Sequence, residues 1–133
     1  MDIINVVLIA GRYQDKVYTR LVKKLQDKKF QVAVFETAVD AVNENFSLVH
    51  ADYIIFEPSG LASISDMYKN VDKYIELSEG AATIFLIVDS RRLYKIREEM
   101  AHLGVVEVIL FQNMNSSLFK AIEIDKKTDD IPF

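Results

Sequence analysis

The side chains able to do chemistry in this 133-residue chain are few and scattered. The two histidines, His50 and His102, fall on different predicted helices without the spacing of a shared ligand set, and both read as surface or helix-end residues. Cysteine is absent, so neither a disulfide nor a thiolate metal site can form. Ser63, Ser65, Ser90 and Ser117 offer hydroxyls, but no histidine stands where a nucleophilic triad needs one. Glu98-Glu99 and Asp129-Asp130 are sequence neighbours; on a helix the first pair diverges, which favours solubility over acid–base work. Gly11, Gly60, Gly80 and Gly104 are isolated, so no glycine-rich phosphate loop exists and no cofactor is expected. What remains is a carboxylate, Glu57, closing one apolar run, and a guanidinium, Arg12, just past the end of another. Opposite charges so placed can hold each other as an ion pair.

The elements that must position these two follow from an alternation of apolar runs with amphipathic stretches. Residues 3–10 are almost continuously apolar, as a parallel strand buried on both faces requires. Over residues 15–29, Val17, Leu21 and Leu25 recur every four positions among charged residues, which predicts a helix. Residues 30–35 read as a second strand. Val39, Val42, Phe46 and Val49 predict a single helix over 38–49. Residues 52–57 form a third strand, ended by Pro58-Ser59-Gly60. A helix over 65–79 carries Met67, Val71, Tyr74 and Ile75, with Gly80 as its C-cap. Strand 82–88, a helix over 91–103 stopped by Gly104, an alternating edge strand over 105–111, and a short helix over 116–124 complete the series. Five β-α units in succession predict an α/β doubly wound parallel sheet with helices on both faces, in the order 2-1-3-4-5. A site on such a sheet belongs at the carboxyl ends of strands one and three, around residues 10–13 and 57–60. Residues 1–124 are expected to form one domain. The charged stretch 125–133 reads as the start of a linker, with Met1 as a natural beginning and another domain expected to follow.

That strand order is the flavodoxin-like one, and the unit sizes resemble the receiver domain of bacterial response regulators. The middle carries the resemblance: Leu21 and Leu25, then Phe30 and Val32, then Ala38, Ala41 and Val42, then the strand from Asp52 to Glu57. In receivers the last residue of that strand is the phosphate-accepting aspartate; here it is Glu57. The resemblance also implies an acidic pair after the first strand to hold Mg²⁺, where this chain has Gly11, Arg12 and Tyr13. A Ser or Thr is expected after the fourth strand, where Ile87 and Val88 stand with Ser90 just beyond. A lysine is expected after the fifth, where Phe111-Gln112-Asn113 stands. The pattern is that of a pseudo-receiver with no metal site and no catalytic residue. Glu57 reads as a polar strand end; the sharper alternative is a lasting imitation of the phosphorylated state, held by Arg12.

A formal net charge of -4 argues against nucleic acid as a partner, and the local cluster Lys23, Lys24, Lys28 and Lys29 reads as a solvated helix face. The apolar runs are strand-sized, too short for a membrane span, and the acidic start lacks the basic opening of a signal peptide. A cytoplasmic location is expected. Aromatic residues, Tyr13, Tyr18, Tyr68, Tyr74, Tyr94, Phe111 and Phe119, exceed the needs of a small core, so some should serve an interface. By analogy with receivers, Tyr94, Arg97, Phe111 and Phe119 are the candidate contact residues. The expected function is a non-enzymatic, phosphorylation-independent module for protein–protein interaction and dimerisation. It resembles the atypical receivers that precede the ATPase domain in pilus-assembly proteins of the TadZ and CpaE type. Two alternatives are a signalling receiver with altered phospho-chemistry, drawing on Glu57 or Asp89, and a flavodoxin-like domain that binds a small molecule.

Overall fold

The computed structural model describes residues 3–59 and 62–129. Five strands, β1 (Asn5–Ala10), β2 (Gln31–Phe35), β3 (Tyr53–Glu57), β4 (Thr83–Val88) and β5 (Val106–Leu110), form one sheet in the order β2-β1-β3-β4-β5. All pairings are parallel. The expected doubly wound α/β architecture is therefore the one found.

Period-two alternation divides the central strands between two cores. Val7, Ile9, Ile54, Phe56, Ile84, Leu86 and Val88 enter one; Val6, Leu8, Ala10, Ile55, Phe85 and Ile87 enter the other. The first is covered by α2 (Ala38–Asn43), α3 (Asn45–Val49), α4 (Ile64–Leu77) and α5 (Leu93–Met100); the second by α1 (Lys16–Asp27) and α6 (Met114–Asp129). Because β1, β3 and β4 are buried on both faces, their sequences read as unbroken apolar runs rather than alternating ones. Burying each of their large aliphatic side chains contributes about 1.5–3 kcal/mol.

Three helices depart from the sequence reading. The helix expected over 38–49 is two short ones, interrupted at Glu44 with φ −106° and ψ 54°. Asn43 stands just before the break, and asparagine is among the weaker helix formers. The apolar stripe changes with it: Ala41 and Leu48 are buried, whereas Val39 and Val49 stand exposed, and the Phe46 side chain lies outside the described set. In α1 the buried stripe is Tyr18, Leu21 and Leu25, with Tyr18 in the place expected for Val17. The last helix begins two residues earlier than expected and runs on to Asp129, through part of the segment read as linker. Residues 130–133 and Gly60 lie outside the described residues. The C-cap expected at Gly80 is instead Ser78, because the helix stops at Leu77; Gly80 lies two residues further on, at φ +73°, with its N–H on the carbonyl of Ile75 at 2.9 Å.

Candidate functional site

Parallel pairing sets Ala10 beside Glu57, so the chain leaves β1 next to the carboxyl end of β3. A tight turn follows, with Tyr13 N–H on the Ala10 carbonyl at 3.2 Å and Asp15 N–H on the Arg12 carbonyl at 2.8 Å. Asp15 then caps α1 by accepting from Val17 N–H at 3.0 Å. This short path leaves the Arg12 guanidinium little choice but to lie over the end of β3.

Arg12 grips Glu57 with two prongs: Nε donates to Oε1 at 3.0 Å and Nη2 to Oε2 at 2.7 Å. From α1, the wholly buried Tyr18 donates its hydroxyl to Oε2 at 2.6 Å. Phe111 underlies the guanidinium, its ring centroid 4.0 Å from Cζ, and meets the Tyr18 ring at 6.1 Å. Bidentate charge-assisted bonding and a cation–π contact thus act on the same arginine. The Glu57 side chain is 10% exposed and that of Arg12 53%, so the pair has a sheltered carboxylate and a half-solvated cation.

The titration behaviour follows from these contacts. The hydrogen bond to Glu57 holds the Arg12 guanidinium protonated even more firmly than usual, outweighing the opposing cost of desolvation. Burial first, and the bond to Glu57 second, push the Tyr18 hydroxyl well above the ordinary tyrosine range. Tyr18 is therefore a neutral donor at any physiological pH.

These residues do not fit the Mg²⁺ that receiver resemblance implies. A hard dication needs several oxygen ligands at once. Here both Glu57 oxygens accept bonds from Arg12 and Tyr18, and Arg12 brings positive charge to the spot. Asp89, at the end of β4, accepts from Arg91 N–H at 3.1 Å as a cap of the short 3-10 turn that follows. Among the described residues no group of three or more histidines and carboxylates is placed for a metal.

Of the residues singled out from sequence, Arg12, Glu57 and Phe111 come together; Gly11 and Tyr13 flank them in the turn. Tyr18 is the member sequence reasoning missed, although its spacing to Leu21 and Leu25 marks the buried stripe. Phe119 lies elsewhere on the same side of the sheet, half-buried beneath the ammonium groups of Lys24 at 5.5 Å and Lys28 at 5.0 Å. Tyr94 and Arg97 project from α5: Tyr94 is 81% exposed, and Arg97 donates to the Val108 carbonyl on β5 at 3.5 Å. The four expected contact residues therefore fall on two surfaces. Of the histidines, His102 stacks on Tyr68, with Nε2 and the hydroxyl 2.9 Å apart. Ser63 caps α4, and the Ser90 side chain lies outside the described set.

A cleft of about 830 Å³ opens at the carboxyl ends of the central strands, between Thr37, Pro58, Met67, Asp89, Arg92 and the Arg12–Glu57 pair. Arg92 is turned to its rim, donating to the Ala62 carbonyl at 2.7 Å.

No protein-family model matches the sequence. No curated protein matches it either. Solved structures do. A response regulator receiver domain protein from Bacillus halodurans aligns with TM-score 0.68 at 14% identity, covering 92% of this chain and 97% of that one. A protein from Burkholderia pseudomallei named for a relation to pilus assembly aligns with TM-score 0.63 at 17% identity, covering 91% of this chain and 87% of that one. The chain has the receiver fold. Among the described residues, no helix is long and apolar enough to cross a membrane.

Proposed function

We propose that this chain is a pseudo-receiver: a non-enzymatic docking module that works without phosphoryl transfer and positions or regulates an adjoining domain or assembly. One observation carries the reading. At the strand end where receivers accept phosphate, the Glu57 carboxylate is spent on Arg12 and Tyr18, leaving it poorly placed as nucleophile or metal ligand. The contacts also bear on mimicry: Glu57 is turned into a neutralised pair, so a reader of phosphate-like charge would find little there.

Tyr94 and Arg97 on α5 form the candidate face for a second protein, a large amphipathic ring and a guanidinium of the kind enriched in interfaces. Phe111 and Phe119, packed against Arg12 and the α1 lysines, lie on the other side of the sheet and are no part of that face. The likeness to a protein named for a relation to pilus assembly supports a place in such a machine, as the TadZ and CpaE resemblance implies. Self-association and a cytoplasmic setting belong to the same reading.

A second reading, a domain that binds a small molecule, draws on the cleft, whose size suits a compact ligand. The experiment that tests the first is light scattering with and without Mg²⁺ and acetyl phosphate. A mass indifferent to both is the expected result. A mass that shifts with phosphoryl donor and metal would overturn it, and a thermal shift with a small-molecule panel would favour the second.

A further inference from the structure

The two edges of the sheet are treated differently. At β5, Arg97 reaches across the edge to the Val108 carbonyl, and Glu107 places an exposed charge on the strand itself. Both devices discourage another strand from pairing there. At β2, the sequence Gln-Val-Ala-Val-Phe carries no charge, and Val34 is 37% exposed.

The outer side of β2 has a defined hydrogen-bonding frame. Among the described residues its neighbour in the sheet is β1 alone, and Gln31 N–H donates to the Ile4 carbonyl at 2.9 Å. In a parallel ladder the N–H and C=O of one residue point the same way and alternate along the strand. Gln31, Ala33 and Phe35 therefore turn to β1, while Val32 and Val34 present their backbone groups outward. Both faces beside the strand are open as well: a hollow of about 390 Å³ runs along Val22, Gln26 and Val34, and one of about 420 Å³ along Gln31, Ala33 and Ser47. The second exists where the broken helix α2–α3 leaves β2 incompletely covered.

We propose that β2 is the contact between two copies of this chain, paired antiparallel about a two-fold axis at Ala33 so that one sheet continues through both molecules. The strand is self-complementary in that register. Val32 of each copy faces Val34 of the other, and both residues have outward backbone groups, so each such pair exchanges two hydrogen bonds. Ala33 meets its twin on the axis in the closer, non-hydrogen-bonded position, where a small side chain fits. Lys29, just before the strand, comes alongside Glu36 of the other copy, and the same happens at the far end by symmetry. A lone foreign strand would need its own matching charges; a second copy has them already. This contact rests on the docking role proposed above and names the surface through which its self-association runs.

The chain lacks cysteine, which makes the test clean. In Ala33→Cys the two thiols face each other across the axis, with Cα atoms about 4.5 Å apart, close enough for a disulfide. Mild oxidation is expected to give a covalent dimer from Ala33→Cys and none from Tyr94→Cys, which sits on exposed α5. Val34→Lys, at an exposed position, is expected to keep its circular dichroism while weakening dimerisation about tenfold or more in light scattering, by bringing a charge into the contact. Cross-linking through Tyr94→Cys with Ala33→Cys inert would overturn the β2 contact and leave the self-association reading standing. A wild-type monomer up to the solubility limit would overturn both.

Discussion

Arg12 and Glu57 are joined by two hydrogen bonds, 3.0 and 2.7 Å long, between residues that the chain brings together across 45 positions. A half-exposed ion pair is usually worth little, because solvent screens it and long side chains must be ordered. This one is better placed: the carboxylate is sheltered, the fork is bidentate, and Phe111 holds the guanidinium plane. A double-mutant cycle with Arg12→Gln and Glu57→Gln is expected to give a coupling energy of about 1–2 kcal/mol by chemical denaturation. A coupling near zero would mean that the pair is a bystander of the fold.

The same pair predicts chemical inertness. Mass spectrometry after incubation with Mg²⁺ and acetyl phosphate is expected to show no added phosphoryl group on the wild type. Glu57→Asp is expected to stay unmodified too, since it restores an acceptor type while leaving Arg12 where receivers have an acidic pair. Stoichiometric labelling of Glu57→Asp would show that the remaining cleft is competent after all and that Glu57 alone blocks it.

Much of this fold is legible in the sequence because the central strands are buried on both faces and so read as apolar runs; residues 5–10 and 53–57 could hardly be anything else. Glu57 and Arg12 were visible for a related reason, being the polar residues that end such runs. The errors have local causes. Val39 and Val49 suggested one continuous helix, but the backbone leaves the helical path at Glu44, just after the weak helix former Asn43, and the stripe does not run on. Tyr18 escaped as a site residue because its ring obeys the core while its hydroxyl serves the site, and only the pairing of β1 with β3 reveals what that hydroxyl meets. The asymmetry of the two sheet edges was also hidden, since Arg97 reaches Val108 through space and not through sequence pattern.

Tyr94 and Arg97 should be separable from both folding and self-association. Tyr94 is exposed on a helix, so Tyr94→Ala removes little packing and is expected to change stability by less than about 0.5 kcal/mol. Arg97→Ala uncovers one edge carbonyl that water can reach, with a similarly small effect. The double variant is thus expected to melt like the wild type and to keep its solution mass by light scattering. A loss of dimer in that variant would move the two-fold contact from β2 to the α5–β5 side.

Tyr18 gives the pH dependence its sign. Its hydroxyl is buried and donates to a carboxylate, so the folded state favours the protonated form and raises the pKa above the unfolded value near 10. A group whose folded pKa is raised contributes its full stabilisation below the unfolded pKa and loses it as pH climbs towards the folded one. Between those limits the native state holds a proton that the unfolded chain has released, and stability falls by about 1.4 kcal/mol per pH unit for each such group. Tyr74, buried against Phe56 and also shifted upward by desolvation, adds to the same slope. Denaturation followed from pH 9 upward is therefore expected to show a steep loss that Tyr18→Phe makes shallower by one proton. Neutral-pH stability of Tyr18→Phe should drop by about 1–2 kcal/mol, the cost of removing a donor from a sheltered carboxylate. An unchanged alkaline slope would mean that the Tyr18 hydroxyl reaches water before the fold opens, and that the bond to Glu57 is not the closed contact its 2.6 Å length implies.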